Sequence, residues 1–275
     1  MNSFNLKMLQ DGKVNFDILV CEHCDLKCKG CNRFSNLSKA KFYPIENIKT
    51  DMLKLKGKLD FRNISVIGGE PLLYPDLVEL LEFLRANWDC DIQIYTNGYK
   101  LLKMSDEFWK CCKDNNIIIR YSKYIKSKTD YDKIDEKAKK QNVKCFNSVE
   151  VGSGLNLDID KFCFIKMSDN IGMSAYHRKL RCYCDNLPNL WQGKIYQCAR
   201  TAFIDALNSK FNTTYDNSDS YIEVDKIKCF NDLKTFLLKV PTMCKNCCIM
   251  DSQHPFDWEQ FSIEKSDFID SIQKY

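Results

Sequence analysis

The strongest constraint on this chain is a beat. Runs rich in β-branched and aromatic residues occur at Asn15–Val20, Asn63–Ile67, Asp91–Tyr95, Ile117–Tyr121 and Val143–Val149. From the second onward their starts are 28, 26 and 26 residues apart, room for one strand and one covering helix. The intervening stretches carry helical periodicity. Ile45, Ile48, Met52 and Leu55 share one face, as do Leu77, Leu80, Leu81 and Leu84. Asp76 is the expected N-cap of the second helix, and Ser105, followed by Asp106 and Glu107, that of a third; Thr129 to Gln141 reads as a fourth. Repeated strand–helix units imply an α/β fold, a parallel sheet with its helices outside, open or closed into a barrel. Chemistry in such folds gathers at the carboxyl ends of the strands. Here Cys24 to Cys31 follow the first strand, Gly68 to Pro71 the second and Thr96 to Gly98 the third.

The beat is lost after about residue 175. The remainder is richer in cysteine and turn residues, with Gly193–Lys194 read as a hairpin turn and Pro255 to Tyr275 as a helical tail that docks through Phe256, Phe261, Phe268 and Ile272. The expected division is an extension over 1–14, a barrel over 15–175, a cysteine-rich unit over 176–255 and the tail over 256–275. At 44% hydrophobic and 28% charged residues the chain can bury a large core and remain in solution. A net charge of +4 is too mild to make nucleic acid or an anionic membrane the expected partner. Lys123 to Lys144 holds eight lysines and four acids, the pattern of a solvated helix face. Neither a signal peptide nor a run of ~18 apolar residues is present, so the expected location is cytoplasmic.

Sixteen cysteines in such a chain point to metal binding or chemistry rather than to a disulfide scaffold. Four lie between Cys21 and Cys31, three between Cys182 and Cys198, and three between Cys244 and Cys248. The isolated ones (Cys90, Cys111, Cys112, Cys145, Cys163 and Cys229) fit buried, weakly polar packing. Three assignments are open for the first cluster. Cys21, Cys24, Cys28 and Cys31 could form paired zinc knuckles, although such pairs usually stand 12–20 residues apart. The same four could ligate an iron–sulfur cluster, as closely spaced ferredoxin ligands do. The third assignment takes only Cys24, Cys28 and Cys31, spaced C-x3-C-x2-C, with Cys21 structural at the strand end.

That third pattern resembles the signature of the radical S-adenosylmethionine (radical SAM) superfamily. The resemblance extends to Gly68-Gly69-Glu70-Pro71, similar to the family's GGEP motif, and to Thr96-Asn97-Gly98, similar to its TNG segment. It implies a partial (β/α)6 TIM-like barrel over roughly Asn15 to Val149, in which three thiolates hold a [4Fe–4S] cluster whose fourth iron binds S-adenosylmethionine. Gly68, Gly69, Glu70, Pro71 and Asn97 would then bind the cofactor, with Ser122, or else Arg120, contacting its carboxylate or ribose. Gly30 departs from the family, which often has an aromatic residue before the last cysteine, so packing around the adenine would differ.

The second set of cysteines resembles the auxiliary-cluster unit of SPASM and shorter twitch domains. Ten residues separate Cys182 from Gly193, four separate Gly193 from Cys198, and Cys244-Lys-Asn-Cys247 follows. Cys184 competes with Cys182 as the first ligand, Cys248 is spare, and a four-thiolate zinc site is the alternative. The twitch pattern implies one auxiliary [4Fe–4S] cluster in a small hairpin–helix domain. The layout looks most like the twitch-domain dehydrogenases of aminocyclitol pathways. It implies reductive cleavage of S-adenosylmethionine to a 5′-deoxyadenosyl radical, hydrogen abstraction from a small polar, carbohydrate-like substrate, and a flavodoxin- or ferredoxin-type electron donor. A peptide-modifying maturase is the alternative. It is disfavoured because a strand beginning at about Asn15 leaves no room for a peptide-recognition module. A non-catalytic iron–sulfur or zinc protein is the alternative from another class. His23, His177 and Arg178 are the further polar residues placed near these sites.

Overall fold

The computed structural model describes residues 11–29, 31–124, 129–148, 161–162, 166–168, 174–180, 182, 187–248, 256–257 and 263–270. Its first half follows the beat: β1 (Lys13–Leu19), α1 (Ile45–Leu55), β2 (Asp60–Ile67), α2 (Leu77–Asn87), β3 (Asp91–Thr96), α3 (Asp106–Asp114), β4 (Ile118–Tyr121), α4 (Tyr131–Gln141) and β5 (Cys145–Asn147). The five strands lie side by side in chain order, every pair parallel. Each helix presents its periodic apolar stripe to the sheet: Ile48, Met52 and Leu55 from α1, and Leu77, Leu80, Leu81 and Leu84 from α2, are buried. They pack on Val14, Phe16 and Ile18 of β1 and Ile64 and Val66 of β2 in one core. Ser105 caps α3 by accepting from the Phe108 N–H, whereas Asp76, although it begins α2, makes no side-chain cap. On α4 the buried stripe is Tyr131, Ile134 and Ala138, which leaves most of its lysines facing solvent.

The later part of the chain adds β6 (Lys161–Phe162), β7 (Met167–Ser168), α5 (Ala175–Leu180), β8 (Asn189–Trp191), β9 (Lys194–Tyr196), α6 (Ala199–Ala202), α7 (Ile204–Phe211), β10 (Tyr221–Glu223), α8 (Phe230–Leu238), β11 (Phe256–Asp257), α9 (Lys265–Phe268) and β12 (Ile269–Asp270). β8 runs parallel to β1 along its free edge, pairing Asp17 with Asn189 and Ile18 with Leu190. β9 and β10 extend the sheet antiparallel, giving the order β10-β9-β8-β1-β2-β3-β4-β5. The expected hairpin is thus present, and it continues the barrel sheet. Its two-residue turn, Gln192–Gly193, has both residues at positive φ, the geometry whose twist matches paired strands. The Gly193 N–H donates to the Tyr43 hydroxyl at 2.7 Å, and Trp191 packs edge-on against Tyr43.

The end of the chain, expected as a helical tail, is described over 256–257 and 263–270. Among its described residues only Lys265–Phe268 is helical, while β11 pairs with β6 and β12 with β7. Phe268 does dock as expected, joining Phe34, Met167, Ile204, Leu207 and Met243 in a second apolar core. Phe261 and Ile272 lie outside the described residues, as do Gly30, Cys163 and Cys184. Among the described residues, no helix is long and apolar enough to cross a membrane.

Candidate functional site

The first cysteine loop leaves the carboxyl end of β1 and is held there by the turn that ends β2. The Gly69 N–H donates to the Cys21 carbonyl at 2.8 Å and the Glu70 N–H to the His23 carbonyl at 3.0 Å. This approach is possible only because both turn residues lack a Cβ. One on Gly69 would stand 1.9 Å from the His23 carbonyl oxygen, and one on Gly68 would stand 2.6 Å from that of Cys21. Cys21 is fully buried, and its thiol donates to the Glu70 carbonyl at 3.3 Å. Burial pushes that thiol up to about 12. The hydrogen bond turns the Cys21 sulfur into the β2 turn, and three further thiols follow on the loop: Cys24, Cys28 and Cys31.

Glu70 knots this turn to the next. Its carboxylate accepts from the Leu72 N–H at 3.0 Å, the Thr96 hydroxyl at 2.6 Å and the Asn97 N–H at 2.8 Å. Asn97 in turn donates its side-chain amide to Asp25 at 2.8 Å and to the Cys24 sulfur at 3.5 Å. Gly98, at φ +78°, lets the chain reverse above Tyr131. Burial raises Glu70 to about 7 despite its three donors. Cys24 is pushed well up by burial and by the neighbouring Glu70 carboxyl. Among the described residues, Cys24, Asp25 and Glu70 are the trio of histidine, cysteine or acidic side chains whose ligand atoms all fall within 4.8 Å. The three loop thiols are not drawn to that spacing. Cys28 is buried with Leu26, and Cys24 and Tyr124 pack against them. The donor set suits an iron–sulfur cluster with one open iron: three soft sulfurs on one loop, the fourth nearby sulfur turned away.

Ser122 and Arg120, adjacent inward positions on and just after β4, have different surroundings. Ser122 lies against the hydroxyl of Ser148 at 3.3 Å, and its hydroxyl is hydrogen-bonded to Tyr124, which packs beside the cysteine loop. Arg120 points deeper, donating to Gln93 and lying over the Tyr95 ring. It belongs to a row of polar side chains inside the sheet: Asn63 donates to Asn15 at 2.6 Å, and Gln93 to Ser65 at 3.5 Å. Asp17 adjoins this row and is raised to about 6 by burial, with Arg33 and Ser65 opposing the rise. Asn15, Asp17, Asn63, Ser65, Gln93, Tyr95, Asp25, Arg33 and Tyr124 went unmarked in the sequence. The signal was there for the strand residues, because each is the polar partner in an alternation whose other members are core.

The second set of cysteines comes from three segments. Cys182 follows α5, its N–H bonded to the Lys179 carbonyl at 3.1 Å; Cys198 is the N-cap of α6; Cys244 lies within a 3-10 turn over Thr242–Asn246 and Cys247 is its C-cap. Burial raises the Cys244 thiol, and charge on Cys198, Cys247 and Cys182 adds to the rise; as at the first loop, no three of these sulfurs fall within 4.8 Å of one another among the described residues. Cys247 is pushed up to about 11 by burial, with the Arg200 guanidinium foremost in opposing it and Arg178 also opposing. Arg178, Lys179 and Arg200 are all buried here. Arg178 donates to the Cys247 carbonyl. Lys179 clamps the Gln197 side chain at 2.6 Å and the Leu237 carbonyl at 2.5 Å. Cys248 is buried beyond the turn, its N–H bonded to the Lys166 carbonyl. His23 packs edge-on to Phe42, and His177 is exposed beside Ser174.

Residues 18–145 match the family model of the Radical SAM superfamily. The chain is similar to a "Probable GTP 3′,8-cyclase" of Pyrococcus abyssi, 27% identical over 93 residues, 34% of this chain and 30% of that protein. It is also similar to a protein of Methanocaldococcus jannaschii named as a glycyl-radical enzyme activating enzyme, 36% identical over 84 residues, 30% of this chain and 32% of that protein. The chain thus spans about a third of the length of these curated relatives. Among solved structures, Streptococcus suis SuiB bound to S-adenosylmethionine aligns with a TM-score of 0.41 at 18% identity, covering 52% of this chain and 36% of SuiB. Family model, strand order and motif positions coincide over residues 18–145, the part of the chain that is similar to the Radical SAM superfamily domain.

Proposed function

We propose that this chain is a radical SAM enzyme that abstracts hydrogen from a small polar substrate of carbohydrate or cyclitol type. The observation that carries the reading is the knot in which Asn97 holds Asp25 and the Cys24 sulfur while Glu70 holds Asn97. It fixes a three-thiol loop at the carboxyl ends of β1, β2 and β3. Bound at an iron–sulfur cluster, S-adenosylmethionine supplies on one-electron reduction the means to take hydrogen from an unactivated C–H bond. Cys24, Cys28 and Cys31 would hold that cluster. The N–H groups of Gly69 and Glu70 are spent on the cysteine loop, so the turn's carbonyls are what it has to offer a cofactor ammonium. Ser122 stands at the height of the loop and is the better candidate for a cofactor contact; Arg120, tied to Gln93, fits the substrate side.

The polar row Asn15, Asp17, Asn63, Ser65, Gln93 and Arg120 supports a hydroxyl-rich substrate, since a barrel interior lined by amides and hydroxyls can exchange its internal hydrogen bonds for those of a ligand. Cys182, Cys198, Cys244 and Cys247 would hold an auxiliary cluster that takes up the electron left on the substrate after hydrogen loss. Cys184 is the competing ligand. A flavodoxin- or ferredoxin-type donor would supply the first electron.

The test is anaerobic reconstitution with a count of iron and sulfide, on the native chain and on the Cys24/Cys28/Cys31→Ala variant. About eight irons falling to about four is expected. A native count near four, lost in the variant, removes the auxiliary cluster and with it the oxidation. Incubation with deuterated cyclitols and peptides then separates the substrate classes: label appearing in 5′-deoxyadenosine from peptides alone makes the chain a peptide maturase.

A further inference from the structure

Arg200 is 4% exposed, and among the described residues no carboxylate pairs with it. One amino group of its guanidinium donates to the Asn32 side chain at 3.1 Å, and the plane lies over the Phe34 ring at 5.0 Å. Its Nε and second amino group are buried and meet no acceptor among the described residues. A buried guanidinium with two idle donors and no counter-charge is costly unless an anion completes the site. Groups near it that can carry negative charge include the second-site thiols: Cys198 stands two residues before Arg200 as the N-cap of the same short helix, and the Arg200 charge acts on Cys247. Neutral thiols would leave the charge uncompensated, whereas four thiolates around a metal centre would balance it.

The same side chain reaches the other site. Asn32 directly follows Cys31, and Phe34 lies three residues beyond it. Phe34 holds a left-handed backbone at φ 56°, unfavourable for a bulky residue, and is 1% exposed with Phe268 against its ring. The turn after the first cysteine loop is thus bent to bring Asn32 and the Phe34 ring onto Arg200.

We propose that Arg200 is the counter-cation of the second cysteine site, that it raises the reduction potential of an iron–sulfur cluster there, and that it ties that site to the first cysteine loop through Asn32 and Phe34. This rests on the reading of Cys182, Cys198, Cys244 and Cys247 as ligands of an auxiliary cluster. A cation donating toward cluster sulfur stabilises the reduced, more negative state, so its removal must move the potential downward. Arg200 acts through the cluster and is a tuning and positioning residue.

The experiment uses the full chain carrying Cys24/Cys28/Cys31→Ala, so that any iron signal arises from the second site, with Arg200 intact or replaced by Met or Lys. Iron is counted, and the midpoint potential is read by a titration followed by electron paramagnetic resonance. The expected result is a more negative midpoint for Arg200→Met and a return most of the way for Arg200→Lys. Loss of iron in the Met variant with retention in the Lys variant also supports the proposal, because only the charge differs in kind. An unchanged midpoint in Arg200→Met, or equal loss of iron from both variants, overturns it. Zinc, or no metal, in the Arg200-intact chain overturns the auxiliary-cluster reading itself, an outcome the iron count reports separately.

Discussion

The two cysteine sites are built in opposite ways. The first draws its thiols from one loop of eight residues, Cys24 to Cys31, and surrounds them with acids: Asp25 shares the Asn97 amide with Cys24, and Glu70 raises the Cys24 thiol further. The second gathers its thiols from three segments and surrounds them with cations, Arg178, Lys179 and Arg200. Charge of one sign next to a cluster shifts its potential in a definite direction. On the proposed reading, carboxylate charge beside a first-site cluster would disfavour its reduced state, and the guanidinium groups beside a second-site cluster would favour it. The largest effect should therefore be the asymmetry of two single changes. Cys24→Ala is expected to abolish cleavage of S-adenosylmethionine while keeping the second site's iron; Cys244→Ala is expected to lose that iron yet retain cleavage. Equal loss of cleavage in both, measured as 5′-deoxyadenosine formed under dithionite, would mean that the two sites work as one.

A second way to sharpen the contrast is mechanical, since the first site depends on a backbone approach that only glycine permits. Gly69→Ala places a methyl group 1.9 Å from the His23 carbonyl oxygen, which must push the cysteine loop off the turn. A cost of about 3 kcal/mol in urea unfolding is expected, with loss of the first site's iron alone. Gly57, at positive φ but with nothing within 4 Å of the added carbon, is the control. There Ala should cost only about 1 kcal/mol, from backbone strain. Comparable costs at the two positions would show that the loop yields freely.

The acids of the first region also predict a pH dependence that the second lacks. Burial raises Glu70 to about 7 and Asp17 to about 6. The folded chain therefore holds protons that the unfolded chain releases between about pH 4 and pH 7. Stability of the metal-free protein must fall as pH rises through that window, by about 3 kcal/mol from Glu70. Asp17→Asn should flatten the lower part of the curve and leave the part near pH 7 in place. A stability that rises from pH 4 to 7 would mean that both carboxyls are held as anions by their donors.

What the sequence disclosed follows the range of the interactions. The strands and α1 to α4 were readable because an apolar stripe and a regular spacing are local, and Ser105 capped α3 for the same reason. The Gly193 turn was readable, but its attachment to β1 was not, because the pairing of Asp17 with Asn189 joins residues far apart in the chain. Glu70 and Asn97 were placed by motif, yet their bond to each other depends on how closely β2 and β3 end. Arg200 carried no signal at all: its meaning comes from Asn32 and Phe34, which a left-handed turn brings to it. Among the described residues of the tail, Lys265–Phe268 is helical and the pairs Phe256–Asp257 and Ile269–Asp270 are strands, because their partners β6 and β7 lie about a hundred residues earlier and leave no local signal.

The smallest expected effect tests where the first site ends. Cys21 precedes the three-thiol loop by only three residues, and spacing alone admits it as a fourth ligand. Its sulfur, however, is fully buried and donates to the Glu70 carbonyl, which on the proposed reading makes it part of the turn rather than a ligand. Cys21→Ala should therefore leave about eight irons per chain and cost about 1 kcal/mol for the small void and the weak hydrogen bond. Cys24→Ala, three residues on, should change the iron count and the cleavage together. If Cys21→Ala also removes four irons, the loop has four ligands and no open iron position, and the contrast between a reactive first site and a fully ligated second one disappears.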